Sequence, residues 1–230
     1  MVIELLDTTL RDGEQTSGVS FSTSEKLGIT RLLLDELHLP RVELASARVS
    51  AGEFETVKTV CDWATKNDYI KCIEILGFVD KGESIKWIKD VGGKVINLLA
   101  KGSEKHCISQ LKKTPEQHFA DITSEVMLAV ENGLDVNLYL EDWSNGIKNS
   151  PEYVALMMDA LKELPIKRFM LPDTLGIMNP NEVFKYCKDM VRDYPNLHFD
   201  FHGHNDYDLA AANSFAAALA DVHGLHCTVN

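Results

Sequence analysis

No run of Lys or Arg in this sequence exceeds two residues, and the formal net charge is −12. Together these exclude the basic patch that nucleic acid or an anionic membrane surface would require. No apolar stretch approaches the roughly 18 residues of a membrane-crossing helix, and Met1 leads directly into a strand-like run instead of a signal peptide. The cysteines (61, 72, 107, 187 and 227) are few, odd in number and never spaced C-x-x-C. That pattern excludes a disulfide framework and a zinc knuckle and points to reduced thiols in a cytoplasmic protein. No linker or low-complexity tract divides the chain, and no Gly-rich dinucleotide turn follows its first strand.

What is present is a core. The 230 residues are 45% hydrophobic, enough for one sizeable α/β domain. Short apolar runs alternate with amphipathic segments. Strands are expected over 2–7, 41–45, 70–76, 95–99, 135–140, 168–171, 197–201 and 225–229. Helix starts stand between them: Ser22-x-x-Glu25 reads as a capping box, and Thr114-Pro115, Ser150-Pro151 and Asn179-Pro180 as caps with proline at the first helical position. Eight strands and seven intervening helices, repeating about every 30 residues, describe a (β/α)₈ TIM barrel without its last helix, formed by a single catalytic domain over 1–230.

Strand alternation places Glu43, Glu74, Leu76, Asn97, Leu99, Asn137, Tyr139, Glu141, Asp200 and His202 on inward faces. Barrel interiors are usually filled with Val, Ile and Leu, so buried polar groups there must satisfy one another, a metal or a ligand. After strand 1 comes Asp7-Thr8-Thr9-Leu10-Arg11-Asp12-Gly13-Glu14-Gln15. Here a hard anion for a metal adjoins a fixed cation for an oxyanion, although an ordinary Arg-Asp ion pair would look the same. Glu43 is expected to pair with Arg11. At the far end of the chain, His202 and His204 are two apart on an extended strand and so share a side. With Asp12 on the same barrel face they would form a facial ligand set for Mg²⁺, Mn²⁺, Zn²⁺ or Fe²⁺. His38, His106, His118, His198, His223 and His226 read as surface or structural residues.

Three segments, Asp7 to Gln15, Leu171-Pro172-Asp173-Thr174-Leu175-Gly176 and Phe201-His202-Gly203-His204-Asn205-Asp206, resemble the motifs of the DRE-TIM metallolyases. This family includes the isopropylmalate, homocitrate and citramalate synthases and some lyases that run the reverse cleavage. Glu74 to Asp80, Asn97 to Leu99 and Tyr139 to Gly146 are similar to its citramalate-forming branch. The resemblance implies a divalent metal (Mn²⁺, Mg²⁺ or Zn²⁺) held by Asp12, His202 and His204. It sets Arg11 over the reacting carbonyl, Glu141 and Thr174 on the acetyl-CoA side, and Leu76, Leu99 and Tyr139 around the methyl group of pyruvate. The implied activity is condensation of acetyl-CoA with pyruvate, with Glu141 as the base or its orienting group. A larger 2-oxo acid, an acyl-CoA lyase reaction, or a barrel that binds metal without turnover are the alternatives.

One departure stands out. The sequence stops at Thr228-Val229-Asn230, whereas family members continue into a Gly-rich loop, an eighth helix and accessory domains, and the full-length proteins are expected to be homodimers. The outer faces of strands 1 and 8 are therefore expected to lack a cover, and the barrel to be poorly active by itself.

Overall fold

The alternating pattern closes on itself. The computed structural model describes residues 2–229. Its strands are β1 (Glu4–Asp7), β2 (Arg41–Ser46), β3 (Ile73–Phe78), β4 (Val95–Lys101), β5 (Asp135–Glu141), β6 (Ile166–Asp173), β7 (Phe199–Gly203) and β8 (Gly224–Cys227). All pair in parallel in chain order, and β8 returns to β1 with Leu5 opposite Leu225 and Asp7 opposite Cys227. The helices are α1 (Thr23–Arg31), α2 (Ala51–Lys66), α3 (Glu83–Asp90), α4 (Glu104–Ser109), α5 (Pro115–Glu131), α6 (Trp143–Asn149), α7 (Pro151–Leu161), α8 (Pro180–Asp193) and α9 (Ala210–Leu219). No helix among the described residues is long and apolar enough to cross a membrane.

Local chemistry explains where the helices begin. Ser22 accepts from the Glu25 amide while the Glu25 side chain accepts from Ser22, and the same reciprocal box forms at Thr114/Gln117 and Asn179/Glu182. Pro115, Pro151 and Pro180 follow their caps at the first turn, where a missing N–H costs nothing. The connections from β4 and β5 each carry an additional short helix, α4 and α6. The sequence pattern does not show them, because six or seven residues make too few turns to display a 3.6-residue period. Strand 3 begins later than expected, since Ile70–Cys72 forms a 3₁₀ turn, and β7 runs two residues further, which brings His202 inside the strand.

The main apolar core lies between the strands and the helices, built on Leu44, Ile73, Ile96, Leu138, Phe169, Phe199 and the helix faces that cover them. A second, small cluster of Leu6, Leu76, Tyr139 and Met170, with Leu99 against it, occupies the barrel interior. On β1, Leu5 is 37% exposed, and on α9 Phe215 is 67% exposed.

The rest of the interior is polar and largely satisfied by direct contacts, although Asn137 Oδ1 is buried without a partner. Arg41 lies 2.6 Å from Glu74 through Nε and 2.5 Å from Asp200 through Nη1. Asn137 donates to Asn97 at 2.9 Å, and Asn97 donates to Glu43 at 2.8 Å. Asp200 sits over Gly224, where any Cβ would collide with its carboxylate. Burial alone would raise the Asp200 pKa and is the strongest single influence, but hydrogen bonds from His198 and His226 and the charge of Arg41 prevail and hold it well below the usual carboxylate range.

Replacing Arg41 by Met should therefore destabilise the fold by about 3–5 kcal/mol at neutral pH, because two buried carboxylates lose their cation. A carboxyl with a depressed folded pKa stabilises the fold above its unfolded value of about 3.9 and loses that contribution as pH falls. The penalty for Arg41→Met should thus shrink as pH drops below about 4, as urea unfolding at pH 7 and pH 3 can check.

Candidate active site

The end of β1 is shaped by its own side chains. The Asp7 carboxylate accepts from the Thr9 amide and hydroxyl, both at 3.0 Å. The Thr8 carbonyl then takes the amides of Arg11, Asp12 and Gly13 at 2.8–3.2 Å. This tight turn sets Arg11 and Asp12 on the mouth formed by the carboxyl ends of the strands, the face on which TIM-barrel sites are built. Glu14 secures the next turn: one oxygen accepts from the Phe21 amide at 2.9 Å and the other lies 2.7 Å from Lys26 Nζ. Lys26 is fully buried and also pairs with Glu53 at 2.6 Å. The amphipathic reading of α1 did not suggest this buried ammonium.

Arg11 pairs with Glu43, as expected. Its Nε and Nη2 each lie 2.7 Å from Glu43 Oε2, and its Nη1 lies 2.8 Å from Asp12 Oδ1. Five N–H groups are available on a guanidinium, so one on each terminal nitrogen stays free for a ligand. Burial works to lower the Arg11 pKa, but the charges of Glu43 and Asp12 outweigh it and keep the cation firmly protonated. Arg11 also lies 5.8 Å over the ring of Tyr139, an added cation–π contact.

The other oxygen of Asp12 faces two imidazoles, 3.3 Å from His202 Nε2 and 3.8 Å from His204 Nε2. One ligand atom from each of the three residues lies within 4.8 Å of the others. These separations are near the roughly 3 Å that neighbouring ligands need when each sits about 2.1 Å from a divalent cation. Burial is the strongest influence on Asp12 and would raise its pKa, yet the His202 hydrogen bond and the Arg11 charge hold the carboxyl below its ordinary range. Burial and the neighbouring His202 push His204 down, towards the neutral form that ligates metals. Charge state, spacing and donor types all fit a divalent metal.

Arg11, Asp12, Leu76, Leu99, Tyr139, Glu141, Thr174, His202 and His204 line a single cavity of about 270 Å³. Sequence reasoning had named all nine. Glu141 is ion-paired with Lys101 on the neighbouring strand. Thr174 accepts from the Asp142 amide at 2.9 Å, which leaves its own hydroxyl proton free. Four further lining residues, Gln15, Ser46, Phe78 and Pro172, were not among the expected site residues; Phe78 escaped because β3 was expected to end at Leu76.

His226 requires a correction. Read from sequence as surface or structural, it lies inside the barrel, with Nδ1 3.0 Å from Tyr139 Oη and 3.2 Å from His202 Nδ1. Burial lowers its pKa to about 4, so the imidazole is neutral. His118 is also buried, where it accepts from the Lys101 amide at 3.2 Å, a structural role as expected.

Comparison with known proteins places the chain. The HMGL-like family matches residues 2–230. The chain belongs to this family. Among curated relatives, the 2-isopropylmalate synthase of Sulfurisphaera tokodaii is 31% identical over 99% of this chain and 57% of its own length. A homocitrate synthase of Saccharolobus islandicus is 29% identical over 99% of this chain and 48% of its own. The chain thus spans about half the length of the curated HMGL-like relatives it matches. Among solved structures, the HMG-CoA lyase of Brucella melitensis superposes with a TM-score of 0.73 at 18% identity, over 98% of this chain and 80% of that one. The carboxyl transferase domain of Rhizobium etli pyruvate carboxylase gives 0.71 at 14% identity, over 99% and 40%. At these identities the structural likeness shows the shared barrel fold.

The cluster makes a prediction that separates its members. His204→Ala should weaken Mn²⁺ or Zn²⁺ binding by more than the roughly 10–100-fold typical of an outer-shell partner, whereas Arg11→Ala should leave affinity nearly intact. Calorimetric titration of both variants provides the measurement. Unchanged affinity in His204→Ala would remove that residue from the ligand set.

Proposed function

We propose that this barrel is the catalytic part of an acyltransferase that condenses acetyl-CoA with pyruvate to give (R)-citramalate and CoA, a step of isoleucine biosynthesis. The observation that carries the reading is the meeting of two unlike surfaces in one small cavity. On one side are Arg11, Asp12, His202 and His204; on the other are the apolar groups of Leu76, Leu99 and Tyr139.

A divalent metal bound by Asp12, His202 and His204 would supply Lewis acidity to a keto oxygen. Arg11, fixed by Glu43, would orient the 2-oxo acid and donate its free N–H groups to the oxygen that gains charge when the carbonyl is attacked. Glu141 would take a proton from the methyl group of acetyl-CoA or hold the group that does so, with Lys101 beside it. The hydroxyl of Thr174, whose oxygen is already engaged by the Asp142 amide, would donate to the acyl-CoA side. Hydrolysis of the thioester then releases CoA.

Substrate size is set by the apolar wall. Leu76 and Tyr139 are almost fully buried and pack with Leu6 and Met170, so neither can withdraw without opening a void. A methyl group fits against this wall more readily than an isopropyl group. The names of the isopropylmalate and homocitrate synthase relatives keep larger 2-oxo acids as the competing reading.

Measuring CoA release with acetyl-CoA and Mn²⁺ tests both. Pyruvate should be favoured over 2-oxoisovalerate by at least about 10–200-fold, the discrimination an apolar pocket achieves per methylene. The double change Leu76→Ala, Leu99→Ala should narrow that ratio. A wild-type preference for 2-oxoisovalerate or 2-oxoglutarate would overturn the pyruvate assignment. A Glu43→Gln variant should lose turnover because Arg11 loses its anchor, and unchanged turnover would refute that role for Glu43.

A further inference from the structure

Beneath the candidate metal ligands runs a line of buried groups that the reaction as described does not use. It starts at Asp200, which receives Arg41 Nη1 at 2.5 Å, His198 Nε2 at 3.0 Å and His226 Nε2 at 3.4 Å. It continues through the His226 ring to His202, whose Nδ1 lies 3.2 Å from His226 Nδ1. Tyr139 packs edge-on against both imidazoles at 87–89°.

We infer that Asp200 and His226 together hold an acceptor against His202 Nδ1, so that His202 can carry its proton there and give its Nε2 lone pair to a divalent cation seated between Asp12 and His204. This inference rests on the metal reading of that cluster. It concerns where one proton sits, not whether it is present.

The argument proceeds from the fixed charge outwards. Every group facing Asp200 is a donor, so the carboxylate has no use for a proton of its own and can only accept. A neutral imidazole has one N–H and one lone pair. Were His226 to carry its proton on Nδ1, its Nε2 lone pair would face the Asp200 carboxylate in a buried site, an unpaired contact of the kind that costs roughly 1–3 kcal/mol or more. The proton therefore belongs on Nε2, and Nδ1 becomes an acceptor. Two donors compete for it, the Tyr139 hydroxyl and the His202 Nδ1–H. Tyr139 has an alternative in Glu43 Oε2 at 3.5 Å, whereas His202 Nδ1 has no other partner among the described residues. Nε2 of His202 lies 3.3 Å from Asp12 and can donate to that carboxylate; when a cation takes the carboxylate, the His202 proton would sit on Nδ1, where His226 accepts it, and leave the Nε2 lone pair for the cation. His226 and Asp200 are thus positioning residues that act through His202, the orienting part that a ligating histidine takes from its outer partner.

Histidine ¹⁵N NMR on the metal-free protein at neutral pH is the direct test. His226 should be the Nε2–H tautomer, and an Nδ1–H form would overturn the inference. The second arm is Zn²⁺ titration of three variants with thermal unfolding alongside. Asn places an acceptor near the imidazole Nδ1 position, whereas Gln places one near Nε2 and Leu places none. Zn²⁺ affinity should therefore fall about 10–100-fold in His226→Leu and His226→Gln and return most of the way in His226→Asn. Equal losses in all three, or no loss in any, would overturn it. Failure of the wild-type protein to bind Zn²⁺ would overturn the metal reading and this inference together. Binding accompanied by an Nδ1–H His226 would overturn this inference alone. The NMR result on the wild-type protein stands even if a variant fails to fold.

Discussion

The structure depends on how charge is compensated inside the barrel. Two guanidinium groups are divided among four carboxylates, Arg11 between Glu43 and Asp12 and Arg41 between Glu74 and Asp200. Each arginine stabilises its pair because burial strengthens the attraction as it removes solvation. The division leaves these carboxylates with two more negative charges than the arginines supply. The divalent cation suggested by Asp12, His202 and His204 would bring the count to balance, so the electrostatics of the fold and of the site favour the same occupant.

Much of this was legible in the sequence, for identifiable reasons. A parallel strand buried on both faces reads as an apolar run, and a helix start reads as a cap with proline, so eight strands and their order could be found. Two-residue alternation correctly turned Glu43, Glu74, Asn97, Tyr139 and Asp200 inward. The same rule would have turned Arg41 inward, since it shares a face with Glu43; it was passed over because a strand's first residue has no fixed side until pairing is known. His226 was missed for a related reason. Only the closing register of β8 against β1 and β7 aims its ring into the barrel, and a one-residue uncertainty in a four-residue strand reverses its face. Lys26 shows a different limit, because the two acids that make its burial tolerable come from separate elements.

The cavity joins these observations to the relatives. The 2-isopropylmalate synthase and homocitrate synthase relatives differ in name by the product formed. In the reading proposed above, the wall facing the acid's side chain is a leucine pair backed by a buried tyrosine. Tyr139 serves two regions at once. Its ring supports the apolar wall and the guanidinium of Arg11, while its hydroxyl meets Glu43 and His226.

The buried Lys26 has a consequence for transplanting the site. Its ammonium joins Glu14 of the first loop to Glu53 of α2, and its backbone belongs to α1, so three segments share one electrostatic footing. Grafting the nine residues from Asp7 to Gln15 onto another barrel would carry over the Asp12 carboxylate and the Arg11 guanidinium. It would leave Glu14 without the cation that seats it, so the Asp7–Gly13 turn would travel with its own hydrogen bonds while the stretch after it lost its anchor.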